Sequence, residues 1–214
     1  LYLMTLIVAI QAKDSIILSA DKRFIYTDNQ DIDTPLFHSD ECKLHLWEKG
    51  AMTGSGEFLV IQETNQWLHK TQNILSLPKK LNDIKKKRII EIGQHEQIIN
   101  SKIIFSIKDK DDTPQLYAVG LDNKLDKLNP TDVSILLPLK YDFSSESVLG
   151  LQNLYSGIQD YNRFANNQSW ISHYLNLLSN IYKKQSLSCE SISADFHVFF
   201  QSGSYSTIVH MIND

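Results

Sequence analysis

The chain has 214 residues, 42% of them hydrophobic and 21% charged, with a formal net charge of −4 and a pI of about 6.0. A chain of this length and composition can bury a substantial core, so we expect one globular domain spanning residues 1–214. The small negative charge excludes a general attraction to nucleic acids or anionic membranes, and we expect neither as a partner.

Cysteines and apolar runs point to a reducing, aqueous compartment. The sequence has two cysteines, Cys42 and Cys189, which match no metal-ligand spacing and do not form a disulfide framework. Residues 1–10 are apolar but too short to cross a bilayer, and they predict a strand. We therefore expect a cytoplasmic protein with no metal and no cofactor.

Strand-like segments dominate the first fifty residues. Residues 6–12 and 15–20 are apolar and β-favouring, and Lys13-Asp14 between them is a turn signal, so they predict an antiparallel hairpin. The polar, acidic residues 27–40 include a proline and predict a loop. Further short strands are predicted at residues 43–47 and 50–53.

Two pairs of helices alternate with strands along the rest of the chain. The Thr-Gly-Ser-Gly at 53–56 ends the first sheet segment, and Glu57 lies in the first turn of a helix, where a carboxylate complements the helix dipole. Apolar residues near helical spacing predict helices at residues 57–68, 78–92, 148–158 and 170–184. Strands are predicted at residues 102–107, 115–120, 133–137, 196–200 and 206–212. Helices segregated from antiparallel hairpins predict an α+β protein, in which two sheets packed face to face with helices outside would fit.

A possible nucleophile lies at the start of the first hairpin. If residues 6–12 pair with residues 15–20, Thr5 and Asp21 lie at the same open end of the hairpin. A threonine hydroxyl needs a base, and an α-amine at the chain terminus, with a pKa of about 7.7–8.0, can serve as one. A nearby lysine would favour the deprotonated hydroxyl and amine, and an aspartate would hold that lysine charged. The hairpin alone does not place Lys43 there.

The residues before Thr5 decide whether such an amine exists. Met4 has the character of an initiator, and methionine is generally removed when a small residue such as threonine follows it. We expect the natural protein to begin at Met4, to lose it, and to expose the Thr5 amine, so that residues 1–3 do not belong to it.

The opening of the chain resembles that of proteasome β-type subunits, members of the N-terminal-nucleophile hydrolase superfamily. Thr5 is followed by Leu-Ile-Val-Ala-Ile, then Lys13-Asp14, and the next strand ends Ser-Ala-Asp21-Lys-Arg23. In that family a terminal threonine begins a strand, a Lys-Asp-Gly turn follows, and the next strand ends Ala-Ala-Asp-x-Arg. The spacing from Thr5 to Asp21 equals the family's spacing, and the resemblance covers residues 5–67 and extends to residue 120 by element order.

The resemblance implies a fold and a set of site residues. The fold would be a four-layer αββα sandwich of two antiparallel sheets flanked by helices, as in a bacterial proteasome-like protein. Thr5 would be the nucleophile, Asp21 and Lys43 its charged neighbours, and the backbone N–H of Gly54 the oxyanion donor. The substrate would be a peptide or amide, and identical subunits would assemble into rings.

The second half departs from the family pattern. The family has a serine before its third helix and an Asp-x-x-Ser-Gly after its fourth, and both support the nucleophile. The matching regions here supply Ser145 and Ser188 as candidates, while the Asp and Gly of the second motif are missing. Ser15 also stands where the family has its turn glycine.

Three hypotheses follow from these observations. The first is an N-terminal threonine peptidase or amidase that works through an acyl-enzyme on Thr5. The second is a catalytically inert proteasome-like subunit with a structural or binding role, which the departures favour. The third is a different N-terminal-nucleophile amidase that acts on small amides. Taken singly, Thr5, Asp21 and Lys43 also have ordinary interpretations, as a strand former, a surface ion-pair partner of Arg23 and a solvated lysine.

Overall fold

The structure is a computed structural model that describes residues 2–3, 5–27, 35–71, 73–109, 111–138 and 145–213. The first seven strands are β1 (Tyr2–Leu3), β2 (Ile7–Gln11), β3 (Ser15–Asp21), β4 (Arg23–Thr27), β5 (Pro35–Asp40), β6 (His45–Trp47) and β7 (Gly50–Glu57). The other strands are β8 (Lys102–Lys108), β9 (Pro114–Val119), β10 (Leu125–Lys127), β11 (Val133–Leu136), β12 (Phe196–Ser202) and β13 (Tyr205–Met211). The helices are α1 (Phe58–Leu68), α2 (Leu77–Ile92), α3 (Glu96–Ile99), α4 (Ser145–Gly157) and α5 (Asn167–Ser188), with short 3₁₀ turns at Ile74–Ser76 and Tyr161–Arg163.

The strands form two sheets. The larger has the order β10-β9-β8-β7-β1-β4-β5, with β6 also paired to β7, and the smaller has the order β11-β2-β3-β12-β13. All of the described strand pairs are antiparallel. The predicted α+β class and the two antiparallel sheets are confirmed.

Three clusters of buried side chains separate the layers. On β2, Val8 and Ile10 pack with Trp170 and other residues of α5. Their neighbours Ile7 and Ala9 point to the opposite face and pack against the larger sheet. A third cluster joins the other face of the larger sheet to α1 and α2. Because successive side chains of a strand point to opposite faces, a strand buried on both faces must be apolar throughout, as the opening of the chain is. This packing is compatible with a sandwich of two sheets between helices.

Two sequence predictions about strands were wrong. Part of the predicted loop, at Pro35–Asp40, is strand β5, which lies at the edge of the larger sheet beside β4. A proline at the first position of an edge strand costs no ladder hydrogen bond, so polarity and a proline did not exclude a strand. The glycine-rich residues 53–56 do not end the sheet but continue β7, where Gly56 has a φ of +126°. The strands β4 and β10 and the short helix α3 were not predicted.

Candidate active site

The hairpin of β2 and β3 brings Thr5 to Asp21. Ile7 lies opposite Ala20 in the register, and the Asp21 N–H donates to the Leu6 carbonyl at 3.1 Å. The Thr5 hydroxyl donates to Asp21 Oδ1 at 2.5 Å, and both residues are fully buried. The adjacency that the sequence predicted for these two residues is present.

Lys43 joins them from the segment before β6. Its Nζ lies 3.0 Å from Asp21 Oδ1, and both side chains are inaccessible to solvent. The ammonium also sits over the Phe24 ring, 5.3 Å from the ring centroid, which adds a cation–π contact. The pairing of the hairpin could not predict the position of Lys43. That position is set by packing between segments that are far apart in the sequence.

The Asp21 carboxylate is the centre of the group. Its Oδ1 accepts hydrogen bonds from the Thr5 hydroxyl, the Lys43 ammonium and, at 2.9 Å, the Leu6 N–H. Its Oδ2 accepts from two more backbone N–H groups, those of Arg23 at 3.0 Å and Ser193 at 3.2 Å. A charge buried this completely needs such donors, since desolvation otherwise destabilises it by several kcal/mol.

Gly54 lies in the middle of β7, opposite Ile103 of β8. A Cβ on Gly54 would lie 2.6 Å from the Lys102 carbonyl oxygen, so no larger residue fits without a shift of the backbone. On its other side, β7 pairs with β1, with Leu3 opposite Gly56. The described pairing of β1 with β7 covers Tyr2 and Leu3, and it does not reach Thr5.

Strand β1 fills a gap in the larger sheet next to Thr5. Tyr2 lies opposite Ile25 of β4 on one side and opposite Glu57 of β7 on the other. Among the described strands, β4 and β5 join the rest of this sheet only through β1. The two residues therefore occupy a slot, defined here as the space between β4 and β7, that leads directly to Thr5.

The two serine candidates lie outside the group of residues around Asp21. Ser145 is the exposed first residue of α4. Ser188 is the exposed last residue of α5, and its hydroxyl lies 3.5 Å from the Lys184 carbonyl. Neither belongs to the donors that surround Asp21.

Ser193 reaches Asp21 instead, and the sequence prediction missed it. It is 4% exposed, and its contact with Asp21 is made by the backbone N–H. The neighbouring Glu190 carbonyl accepts from Arg23 Nη1 at 2.8 Å, which ties this segment to the start of β4. The sequence feature that could have identified Ser193 is the spacing Glu190-x-x-Ser193, which matches the family's Asp-x-x-Ser with Glu in place of Asp.

Cys189 is close to this group but unsuited to be a nucleophile. It follows the last residue of α5 and is 2% exposed. Burial raises the pKa of its thiol, and the negative charge of Asp21 acts in the same direction. A thiol held protonated attacks poorly, which argues against Cys189 as a nucleophile.

Comparisons with known proteins define the class of fold. No protein-family model matches the sequence, and no curated protein matches it. The chain shares its fold with solved structures of Anbu proteins, which are proteasome-like bacterial subunits.

Three of these structures illustrate the likeness. The Anbu (Gly-1) mutant from Hyphomicrobium sp. strain MC1 is 15% identical, with 98% of this chain and 89% of that chain covered and a TM-score of 0.63. The helical assembly of the Anbu complex from Pseudomonas aeruginosa is 11% identical, with 98% and 87% covered and a TM-score of 0.68. Anbu (ancestral beta-subunit) from Yersinia bercovieri is 12% identical, with 97% and 88% covered and a TM-score of 0.60.

The chemical capacity of the site follows from its groups. It contains a hydroxyl, a carboxylate and an ammonium held together away from solvent. In the part of the chain that the structure describes, no group of three or more His, Cys, Asp or Glu side chains could hold a metal ion. Nor does any described helix have the length and apolarity needed to span a membrane.

Proposed function

We propose that the chain is a cytoplasmic N-terminal threonine peptidase or amidase of the proteasome-like type, with the four-layer αββα fold of N-terminal-nucleophile hydrolases in one domain. The observation that carries this proposal is the buried contact of the Thr5 hydroxyl with Asp21, whose Oδ1 also binds Lys43. In this proposal Thr5, Asp21, Lys43 and Gly54 form the catalytic group. Ser193 takes the supporting place assigned from sequence to Ser188, and Ser145 stays a candidate support from α4.

The reaction would proceed through an ester on Thr5. The Thr5 Oγ attacks the carbonyl carbon of an amide, and its proton passes to the Thr5 α-amine. The C–N bond then breaks, the leaving amine takes that proton, and an acyl ester remains on Thr5. A water gives a proton to the α-amine and attacks the ester, which releases a carboxylic acid and restores the hydroxyl. Lys43 favours the deprotonated hydroxyl, and the Gly54 N–H would stabilise the oxyanion.

This chemistry requires that Thr5 be the first residue of the mature protein. In the structure Thr5 follows other residues, and its nitrogen belongs to a peptide bond. Removal of those residues would create the amine and empty the slot between β4 and β7 in the same event.

The slot supports an extended peptide as the substrate. Tyr2 and Leu3 run antiparallel to both β4 and β7 and lead into Thr5. A peptide bound in the same direction would pair with the same two strands and present a carbonyl to Thr5. Backbone pairing of this kind selects extended peptides over small amides, which is our reason for preferring a peptidase.

Identical subunits would assemble around such a site. The structure from Pseudomonas aeruginosa is described as a helical assembly. We propose a homo-oligomer for this chain as well, closed into a ring or open as a helix, because head-to-tail contacts between identical subunits produce one or the other.

The replacement of Thr5 by alanine tests the proposal. Protein with its native amino terminus is treated with a tripeptide vinyl sulfone and a fluorogenic tripeptide amide. We expect Thr5→Ala to reduce turnover of the amide by at least about 10³-fold. We also expect it to prevent the increase in protein mass that covalent binding of the vinyl sulfone produces. The molecular mass of the native assembly should stay the same. Thr64→Ala is the matched control, since it removes a buried hydroxyl that binds the Val60 carbonyl in α1. Undiminished hydrolysis by Thr5→Ala would contradict the proposal.

A second candidate is an inert structural subunit. The observation that favours it is that β1 fills the slot and Thr5 is fully buried behind it. The intact mass of the protein from its natural host separates the two candidates. A mature chain that retains Met4 has no Thr5 amine and supports the inert subunit, whereas a chain that begins at Thr5 supports the hydrolase.

A further inference from the structure

A tyrosine from the distant helix α5 reaches the strand that carries Thr5. Tyr182 is fully buried, and its ring stacks on Phe196 with centroids 4.3 Å apart and planes inclined by 9°. Its hydroxyl lies 3.2 Å from the Leu6 carbonyl oxygen and 2.9 Å from Ser19 Oγ. The stacked ring therefore holds one polar atom against the residue that follows Thr5.

The hydrogen bonds around this hydroxyl can be assigned from the available protons. Leu6 O is an acceptor only, so Tyr182 must donate the hydrogen in that contact. The Ser19 hydroxyl donates to the Val8 carbonyl at 2.9 Å, and its Oγ is a second acceptor for the tyrosine proton, also at 2.9 Å. The single Tyr182 proton is therefore shared between Leu6 O and Ser19 Oγ. Burial raises the pKa of Tyr182 well above its usual value, so the hydroxyl stays protonated at any working pH.

Leu6 is held on both sides of its backbone. Its N–H donates to Asp21 Oδ1 at 2.9 Å, and this oxygen also accepts from the Thr5 hydroxyl. Its carbonyl accepts from the Asp21 N–H at 3.1 Å and from Tyr182. Because the peptide between Thr5 and Leu6 is planar, fixing Leu6 fixes the carbonyl carbon of Thr5 and leaves Thr5 few free rotations.

We propose that Tyr182 is a positioning residue for Thr5, which acts by holding the Leu6 carbonyl so that the Thr5 hydroxyl stays aligned on Asp21 and Lys43. This role rests on the proposed hydrolase function. Tyr182 does not touch a substrate in this role, and it moves no proton in the reaction. A misplacement of the nucleophile by about 1 Å can slow a reaction by about 10²-fold, so a small shift of Leu6 has a measurable effect.

The test compares two tyrosines of the same helix. Tyr182→Phe removes the hydroxyl and keeps the stacked ring. Tyr174→Phe is the matched control, because Tyr174 is also fully buried in α5 and its hydroxyl binds the Gln159 backbone at 2.7 and 3.0 Å, away from Leu6. Each variant, with its native amino terminus, is inactivated by a tripeptide vinyl sulfone. The maximal rate of inactivation and the concentration that gives half of that rate are measured separately.

We expect Tyr182→Phe to lower the maximal inactivation rate about 10-fold with the half-saturating concentration unchanged, and Tyr174→Phe to stay within about twofold of the unmodified protein. A general loss of stability would affect both variants alike. If Thr5 is alkylated in Tyr182→Phe at a maximal rate within twofold of that of the unmodified protein, the positioning role alone is overturned. If the vinyl sulfone never alkylates the unmodified protein, the proposed hydrolase function fails first and the positioning role fails with it.

A second variant keeps the inference testable if Tyr182→Phe does not fold. Ser19→Ala removes the competing partner and leaves the Tyr182 proton to Leu6. We expect its maximal inactivation rate to remain within about twofold of that of the unmodified protein. A 10-fold loss in Ser19→Ala would show that the contact with Leu6 is not the one that matters, and would overturn the inference.

Discussion

At the scale of single residues, the candidate active site is organised around the buried carboxylate of Asp21. Asp21 gathers five hydrogen-bond donors, of which Lys43 supplies the opposite charge. A buried ion pair of this kind contributes little net stability compared with an apolar pair, but losing one partner leaves the other charge uncompensated.

The first prediction follows for Lys43. We expect Lys43→Met to lower the free energy of unfolding by about 3–5 kcal/mol, because the Asp21 carboxylate stays buried without its cation. Urea unfolding at pH 7 measures the change. Lys87→Met is the control, since Lys87 binds Glu63 at 2.9 Å in an ion pair that is 57% exposed at the lysine, and its loss should not be measurable. If Lys43→Met lowers the free energy of unfolding by less than about 1 kcal/mol, the backbone N–H donors alone are enough to stabilise the buried Asp21 carboxylate.

The site residues also show the limits of sequence reasoning at this scale. Thr5 and Asp21 were predicted to be neighbours because strand pairing has a fixed register. Ser188 and Ser193 both stand at the spacing of Asp-x-x-Ser, after Gln185 and Glu190 respectively, and the sequence alone does not separate them. Ser193 contacts Asp21 through its backbone N–H, and any residue but proline has that group. No feature of the sequence marks Tyr182 as a site residue, because a tyrosine on the apolar face of a helix is an ordinary core residue.

At the scale of elements, α2 buries one lysine against α3. Lys85 is 6% exposed, and its Nζ donates to the carbonyl of Ile99, the last residue of α3, at 3.1 Å. Burial, with a smaller contribution from the charge of Lys102, lowers the pKa of Lys85 to about 8. The charged form is therefore less stable in the folded chain than in the unfolded one.

The second prediction gives the sign of this effect. Both states are protonated below pH 8, so the cost of the buried ammonium is fully present at pH 7. It disappears as the pH rises from about 8 toward the unfolded value of about 10.4. We expect stability to rise with pH in that window. We also expect Lys85→Met to stabilise the protein at pH 7 by about 1 kcal/mol, after solvent screening and the lost hydrogen bond are counted.

Urea unfolding at pH 7 and pH 10 measures both effects, with the exposed Lys86→Met as the control on the same helix. A Lys85→Met variant that is less stable at pH 7 would show that the Ile99 hydrogen bond outweighs the buried charge.

At the scale of the whole molecule, the residues before Thr5 decide whether the larger sheet is continuous. Strand β1 is two residues long, and it alone links β4 and β5 to β7 among the described strands. A chain that begins at Thr5 lacks it, so β4 loses its hydrogen-bonded neighbour on that side.

The third prediction concerns hydrogen exchange. In protein that begins at Thr5, we expect the amides of β4 (Arg23–Thr27) to exchange faster than in protein that retains residues 1–4, because an unpaired edge opens easily. A tripeptide boronate bound in the slot should restore the protection. Strand β8 (Lys102–Lys108), which is paired on both sides, is the internal control. Equal exchange of β4 in the two proteins would contradict a slot opened by removal of the first residues.

The elements that depend on near neighbours in the chain could be predicted from the residues alone. Apolar runs with a turn between them specified the β2–β3 hairpin, helical spacing specified four of the helices, and the hairpin register set Thr5 beside Asp21. These features depend on near neighbours, which a sequence displays directly.

Tertiary packing set the remaining features. It made residues 35–40 a strand, it continued β7 through its glycines, and it brought Lys43, Ser193 and Tyr182 to the same buried end of the hairpin. These placements come from packing between segments up to 176 residues apart, as with Tyr182 and Leu6. The free energy of such contacts depends on the shape of the whole core, and no local pattern of residues records it.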